Sequence, residues 1–182
     1  MNEALEILKQ GGVLLHLTDT VWGLACDATN IEAVQKVYAI KQRDENKPML
    51  ILVDNDRRLE RHVKQVPDIA WDLIDHADKP LTIIFQDAVG LPQSVLGSDG
   101  SIAIRIVNDE TCKQLIRKLN RPLLSTSANL SGEPTPVRFG DVSEAIRNQV
   151  DYILESDDDS REEKASSIIK LGTDGEIQII RK

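Results

Sequence analysis

The sequence predicts a single α/β domain built on a mixed parallel and antiparallel sheet flanked by helices, and three observations predict it. Short apolar runs alternate with helix-period segments through most of the chain, the pattern of strands connected through helices. The chain then closes on a hairpin signal, in which SSIIKL and EIQIIR flank Gly172-Thr173-Asp174-Gly175 with period-two strands. A hairpin is antiparallel, so the sheet is mixed. The 182 residues contain no internal repeat, low-complexity tract or interior linker, and residues 1–182 read as one domain around one core.

Taken in order, Leu5 and Leu8 with the Gly11-Gly12 stop predict a short helix over residues 2–10. VLLHL (13–17) is a buried strand, and TDTVWGLACDATN after it reads as a loop. Thr29 with Glu32 three residues later forms a capping box that opens a helix to about Gln42. The apolar stripe of that helix is Ile31, Val34, Val37 and Tyr38. MLILV (49–53) is the next strand, followed by a polar helix over DRRLERHV and a second helix after Pro67. LTIIF (81–85) and SIAIRIV (101–107) are strands separated by a long loop holding Gly90, Pro92, Gly97 and Gly100. Residues 109–119 form a helix with Cys112, Leu115, Ile116 and Leu119 inward. PLLS (122–125) is a strand running into the polar segment STSANLSG. Asp141 and Glu144 mark a cap on a helix to about Gln149, and DYILE (151–155) is a further strand. ESDDDSREEK (155–164) reads as a solvated loop.

Hydrophobic residues make up 41% of the chain, which places it among globular proteins. Aromatics are only 3%, so the core is aliphatic. Cys26 and Cys112 provide neither a disulfide framework nor zinc spacing and read as small buried hydrophobes. The N-terminus lacks the features of a signal peptide and no stretch is long and apolar enough to span a bilayer, so the expected setting is the cytoplasm without membrane contact. A net charge of −8 argues against a broad basic surface for nucleic acid. It leaves room for a small anion held by a local cluster of cations.

No phosphate loop, dinucleotide fingerprint, HExxH or GxSxG elbow is present, and His16, His62 and His76 are scattered. That pattern points away from a covalent nucleophile or a metal held by side chains. What remains are polar groups at strand ends: Thr18-Asp19-Thr20, then Lys41, Arg43 and Lys47, then Ser101 and Arg105. Ser125, Ser127, Asn129, Ser166 and Arg181 complete the set. Singly, most have bland readings, such as turn formers or cations at a helix C-terminus. Arg105, a charge inside an apolar strand, is evenly balanced between facing solvent and serving a site. Together they are an inventory of cations and hydroxyls without a nucleophile. That inventory suits a site that binds a phosphorylated anion and acts by positioning and charge stabilisation.

Over nearly its whole length the chain resembles the YrdC/Sua5 family of threonylcarbamoyl-AMP synthases. The resemblance rests on five blocks in order: HLTDTVWGLACDA, IKQRDENKPMLILV, SIAIRI, LLSTSANLSGEPTP, and SSIIKL with a later arginine. It implies a twisted mixed sheet resembling dihydroxybutanone-phosphate synthase, in the short form that lacks the second domain of longer members. It also implies a nucleotidyltransferase that condenses L-threonine, bicarbonate and ATP to threonylcarbamoyl-AMP and pyrophosphate, with Mg²⁺ accompanying ATP. A separate threonylcarbamoyl transferase complex would then modify adenosine 37 of tRNA.

By the same resemblance, Lys41, Arg43, Ser127 and Asn129 are catalytic. Arg43, Lys47, Ser101, Ser127, Thr135 and Arg181 bind ATP. Thr20, Arg105, Ser125 and Ser166 bind threonine. Leu17, Trp22, Lys47, Leu52 and Lys170 depart from the family pattern. The alternative is a non-catalytic module that contacts tRNA or double-stranded RNA through RRLERHVK (57–64), against which the net charge weighs.

Overall fold

The computed structural model describes residues 1–45, 47–156 and 165–182, so the acidic loop expected over 155–164 lies, but for its first two residues, outside them. In chain order the elements begin α1 (Asn2–Lys9), β1 (Leu14–Leu17), β2 (Trp22–Asp27), α2 (Ile31–Lys41) and β3 (Leu50–Val53). They continue α3 (Asp56–Glu60), α4 (Ile69–Asp75), β4 (Leu81–Phe85), β5 (Ile102–Ile106) and α5 (Glu110–Leu119). The last are β6 (Leu123–Ser127), α6 (Glu144–Arg147), β7 (Tyr152–Leu154), β8 (Ser167–Leu171) and β9 (Ile177–Arg181). All strands join one sheet in the order β7-β1-β2-β6-β3-β5-β4-β8-β9. The sheet is mixed, with β1/β7, β3/β5 and β4/β8 parallel and the other pairs antiparallel.

Residues paired side by side share a face of a sheet. Leu15, Leu24, Leu124, Ile51, Ile104, Ile83 and Ile169 line up on one face and form the larger core with Val34, Val37 and Tyr38 of α2. Burying each such Leu, Ile or Val contributes about 1.5–3 kcal/mol. The opposite face is only partly covered. Leu14, Ala25, Leu52 and Leu123 pack under Ala4 and Leu8 of α1 and Cys112, Leu115 and Ile116 of α5. Beyond those helices the same face carries Gly23, Ser127, Ser125, Leu50, Ala103, Arg105, Ile84 and Thr82. This second part, which no helix among the described residues covers, is where a ligand can reach the sheet.

Several expectations change. The segment read as a loop after the first strand contains β2, which is buried along its whole length beside β1 and β6. With no solvent face, it shows no alternation. Gly23 suits the close approach there, since a Cβ would press on the Thr126 carbonyl at 3.0 Å. The α2 cap is Asn30, whose side chain accepts the Ala33 N–H at 3.1 Å. Thr29 instead donates its hydroxyl to Asp27, and Ile31 is exposed rather than part of the apolar stripe. The α6 helix is a single turn with Ser143 at its N-terminal boundary and no side-chain cap bond, while Asp141 accepts the Arg138 N–H in the turn before it.

The basic segment 57–64 is not a solvated cationic face. Arg58 is buried and donates to Asp54 at 2.5 Å, and His62 is buried beside the Val89 carbonyl. Arg57, Arg61 and Lys64 remain exposed, interleaved with Asp56 and Glu60. This removes much of the basis for the RNA-binding alternative.

His16 lies under α5, fully buried, with Nδ1 3.6 Å from the Cys112 sulfur. Burial lowers its pKa from the ordinary 6.5 to about 4, although the Asp109 carboxylate opposes the shift. The folded chain therefore keeps His16 neutral across a range where the unfolded chain protonates it. This contribution to stability is complete above pH 6.5 and is lost as pH falls towards 4. We expect His16 to account for a decline on the order of 3 kcal/mol in unfolding free energy over that window. In urea titrations, His16→Gln should show a correspondingly shallower decline; an unchanged pH slope would refute the assignment.

Candidate active site

The uncovered part of the sheet is the floor of a cavity of about 350 Å³. Its walls are the turn after β1, the loop leading into β3, the loop after β6 and the closing hairpin. Arg43, Arg105 and Arg181 line it, and no carboxylate does, among the described residues. In a chain with 30 acidic residues, that local excess of positive charge marks an anion site.

Arg105 stands in the middle of the floor on β5 and is 4% exposed. Its Nη2 lies 3.0 Å from Asp19, and its Nη1 donates to the Thr20 hydroxyl at 3.5 Å. Its Nε is buried without a partner among the described residues. Burial lowers the Arg105 pKa, and Asp19 counters that effect. A guanidinium nevertheless remains charged and keeps donors to offer a ligand. The turn that brings Asp19 and Thr20 here is organised by Thr18, whose hydroxyl donates to the Val21 carbonyl and accepts the Thr20 and Val21 N–H groups. Asp19 is fixed further by accepting the Asn108 N–H at 3.2 Å.

Beside the loop into β3, Arg43 donates Nε to the Lys47 carbonyl at 3.0 Å and Nη2 to the Pro48 carbonyl at 3.2 Å. Lys41 takes a different position. Its buried ammonium donates to the carbonyls of Ser127 and Asn129 at 2.5 and 2.8 Å, and to the Asn129 side chain at 3.3 Å. Burial, with Arg43 nearby, lowers the Lys41 pKa to about 8. Asn129 uses its amide nitrogen on the carbonyls of Leu130 and Glu133. Both side chains therefore organise the loop that carries Ser127 and Thr135 to the cavity. On the hairpin side, Arg181 holds the Ser166 carbonyl through Nε and Nη2, and Ser166 shares a hydrogen bond with Thr82 at 2.9 Å.

Of the twelve residues expected at the site, eight line the cavity: Thr20, Arg43, Arg105, Ser125, Ser127, Thr135, Ser166 and Arg181. Lys41, Lys47, Ser101 and Asn129 are not in the lining. Lys47 is exposed and contributes its carbonyl. Ser101 is spent on Asp99, which also pairs with Lys170 at 2.8 Å and is held far below the usual carboxylate range by these partners. Lys170, which departs from the family pattern, is thereby accounted for as the tie between β8 and the loop before β5. Sequence reading missed Thr82 and assigned no role to Asp19. A lone hydroxyl inside the apolar run LTIIF was the available signal for Thr82, the same kind that exposed Arg105.

A mixed α/β sheet carrying on one face an arginine-lined cavity, with no carboxylate among its described lining residues, defines a protein suited to anionic small molecules. The chain belongs to the Sua5/YciO/YrdC family, whose family model, described as "Telomere recombination", matches residues 6–182. A threonylcarbamoyl-AMP synthase from Pseudoalteromonas translucida is 34% identical over 155 residues, covering 84% of this chain and 83% of that protein. The crystal structure of P. abyssi Sua5 complexed with L-threonine superposes with a TM-score of 0.83 at 26% identity. It matches 93% of this chain, which spans only 50% of that longer one. Escherichia coli YciO, at 23% identity and a TM-score of 0.86 over 100% of this chain and 87% of its own, shares the fold.

Removing Asp19 would leave a buried cation uncompensated. Asp19→Ala should destabilise the fold by roughly 3–5 kcal/mol in denaturant unfolding. Asp19→Ala combined with Arg105→Met should recover most of that loss. Additive losses in the double variant would contradict the pairing.

Proposed function

We propose that this chain is a threonylcarbamoyl-AMP synthase, a nucleotidyltransferase that joins L-threonine, bicarbonate and ATP with release of pyrophosphate. The observation that carries the reading is the cavity's charge: three arginines and no carboxylate among the described lining residues, in an acidic chain. The name of the Pseudoalteromonas relative and the threonine bound by P. abyssi Sua5 support it.

In this reading Arg105, held by Asp19 and Thr20, receives the threonine carboxylate, with Ser125 beside it on the floor. Arg43, Ser127 and Thr135 face the nucleotide. Threonine and bicarbonate combine, with loss of water, to a carbamate on the threonine nitrogen. A carbamate oxygen then bonds to the α-phosphorus while the bond to the departing pyrophosphate breaks. Two anions must approach each other for this step, and fixed guanidinium groups offset their repulsion and the charge developing on phosphate. Lys41 and Asn129 act one layer behind, by holding the Ser127 loop in place. Mg²⁺ accompanying ATP would be held by phosphate oxygens, since the described lining offers arginines and hydroxyls, and it would neutralise phosphate charge when bound. The labile product passes to a threonylcarbamoyl transferase acting on tRNA, in the cytoplasm. No helix among the described residues is long and apolar enough to cross a membrane.

The test is pyrophosphate release from ATP. We expect release to require both L-threonine and bicarbonate, and Arg43→Ala to weaken ATP binding by about 1.5–3 kcal/mol with the fold intact. Pyrophosphate release that ignores threonine would overturn the reading.

A further inference from the structure

On the reading that the cavity takes L-threonine, we propose that Thr82 is a specificity-determining residue, recognising the amino-acid side chain jointly with Ser166. Thr82 is the polar member of the apolar strand β4, is 0% exposed and lines the cavity. Its position follows from register. Ile83 pairs with Ile104 and Ile84 with Ala103, so Thr82 comes level with Arg105 on the cavity face. On its other side Thr82 pairs with Ile168 of β8.

A count of protons explains what the pair offers. Arg181 donates Nη2 to the Ser166 hydroxyl at 3.3 Å, and an arginine only donates, so that bond uses an acceptor position of Ser166. The contact between the two hydroxyls, at 2.9 Å, consumes one of their two protons. The remaining proton has no acceptor among the described residues. A buried O–H left in that state is costly, and a ligand oxygen in the cavity relieves the cost. Ile84, Ala103 and Ile168 surround the pair with apolar surface on the same face. One donor in an apolar corner matches a short side chain bearing one hydroxyl and one methyl group. A site built to bond a hydroxyl discriminates against an isostere that lacks it.

The experiment is calorimetric titration of L-threonine, L-valine and ATP into the wild type, Thr82→Val and Thr82→Ser, with kcat and KM for threonine measured on the same preparations. Thr82→Val keeps the shape and removes the hydroxyl. It should weaken L-threonine binding roughly tenfold, raise the threonine KM in parallel, and leave kcat, ATP binding and L-valine binding near their wild-type values. Thr82→Ser should return threonine affinity towards the wild type. Ser166→Ala, which removes the other half of the pair, should erase the same threonine-over-valine preference and serves where Thr82→Val does not fold. Retention of that preference in either variant would overturn the proposal, as would an equal loss of both amino acids. A wild type that binds ATP but no L-threonine would instead defeat the threonine reading itself, and this proposal with it.

Discussion

A charged guanidinium buried in the middle of a sheet is the constraint around which the rest of the structure is arranged. Arg105 occupies a position on β5 whose strand neighbours are aliphatic, and it is almost inaccessible to solvent. Desolvating such a charge is costly unless partners compensate it, and Asp19 and Thr20 are those partners. They can serve only because β1 turns sharply into β2 through the Thr18 hydrogen bonds. Compensation is incomplete, since Nε keeps no partner among the described residues. The site is thus electrostatically prepared for an anion before one arrives.

The walls around this centre share one physical device: cations fastened to backbone carbonyls. Lys41 grips the end of β6 and Asn129 two residues beyond it, Arg43 grips the loop into β3, and Arg181 grips Ser166. Charge-assisted bonds of this kind are stronger and shorter than neutral ones, so they fix loop positions that apolar packing alone would leave loose. Two of the three anchors, Arg43 and Arg181, also line the cavity. Positioning and charge stabilisation therefore come partly from the same side chains, in keeping with chemistry that uses no protein nucleophile.

Much of this was legible in the sequence, for reasons that differ by residue. Arg105 stood out because a charge interrupts an apolar strand, and α5 because its inward face follows helical spacing. The strand β2 was hidden because a strand buried on both faces has no polar alternation to betray it. The Asn30 cap was misplaced by one residue because Thr29 and Asn30 are both good caps, and Asp27 claims the threonine hydroxyl. The role of Lys41 could not be read locally. Its ammonium reaches carbonyls 86 and 88 positions away, and only the pairing of β2 with β6, four strands apart in chain order, brings them there.

The central claim is that the Arg105 fork, held by Asp19, receives the carboxylate of the amino-acid substrate. Arg105→Lys tests it most directly, because lysine keeps the positive charge and loses the two-pronged geometry. Titration of L-threonine into this variant should show binding weakened at least tenfold, with ATP binding retained. Undiminished threonine binding by a folded Arg105→Lys protein would contradict the account.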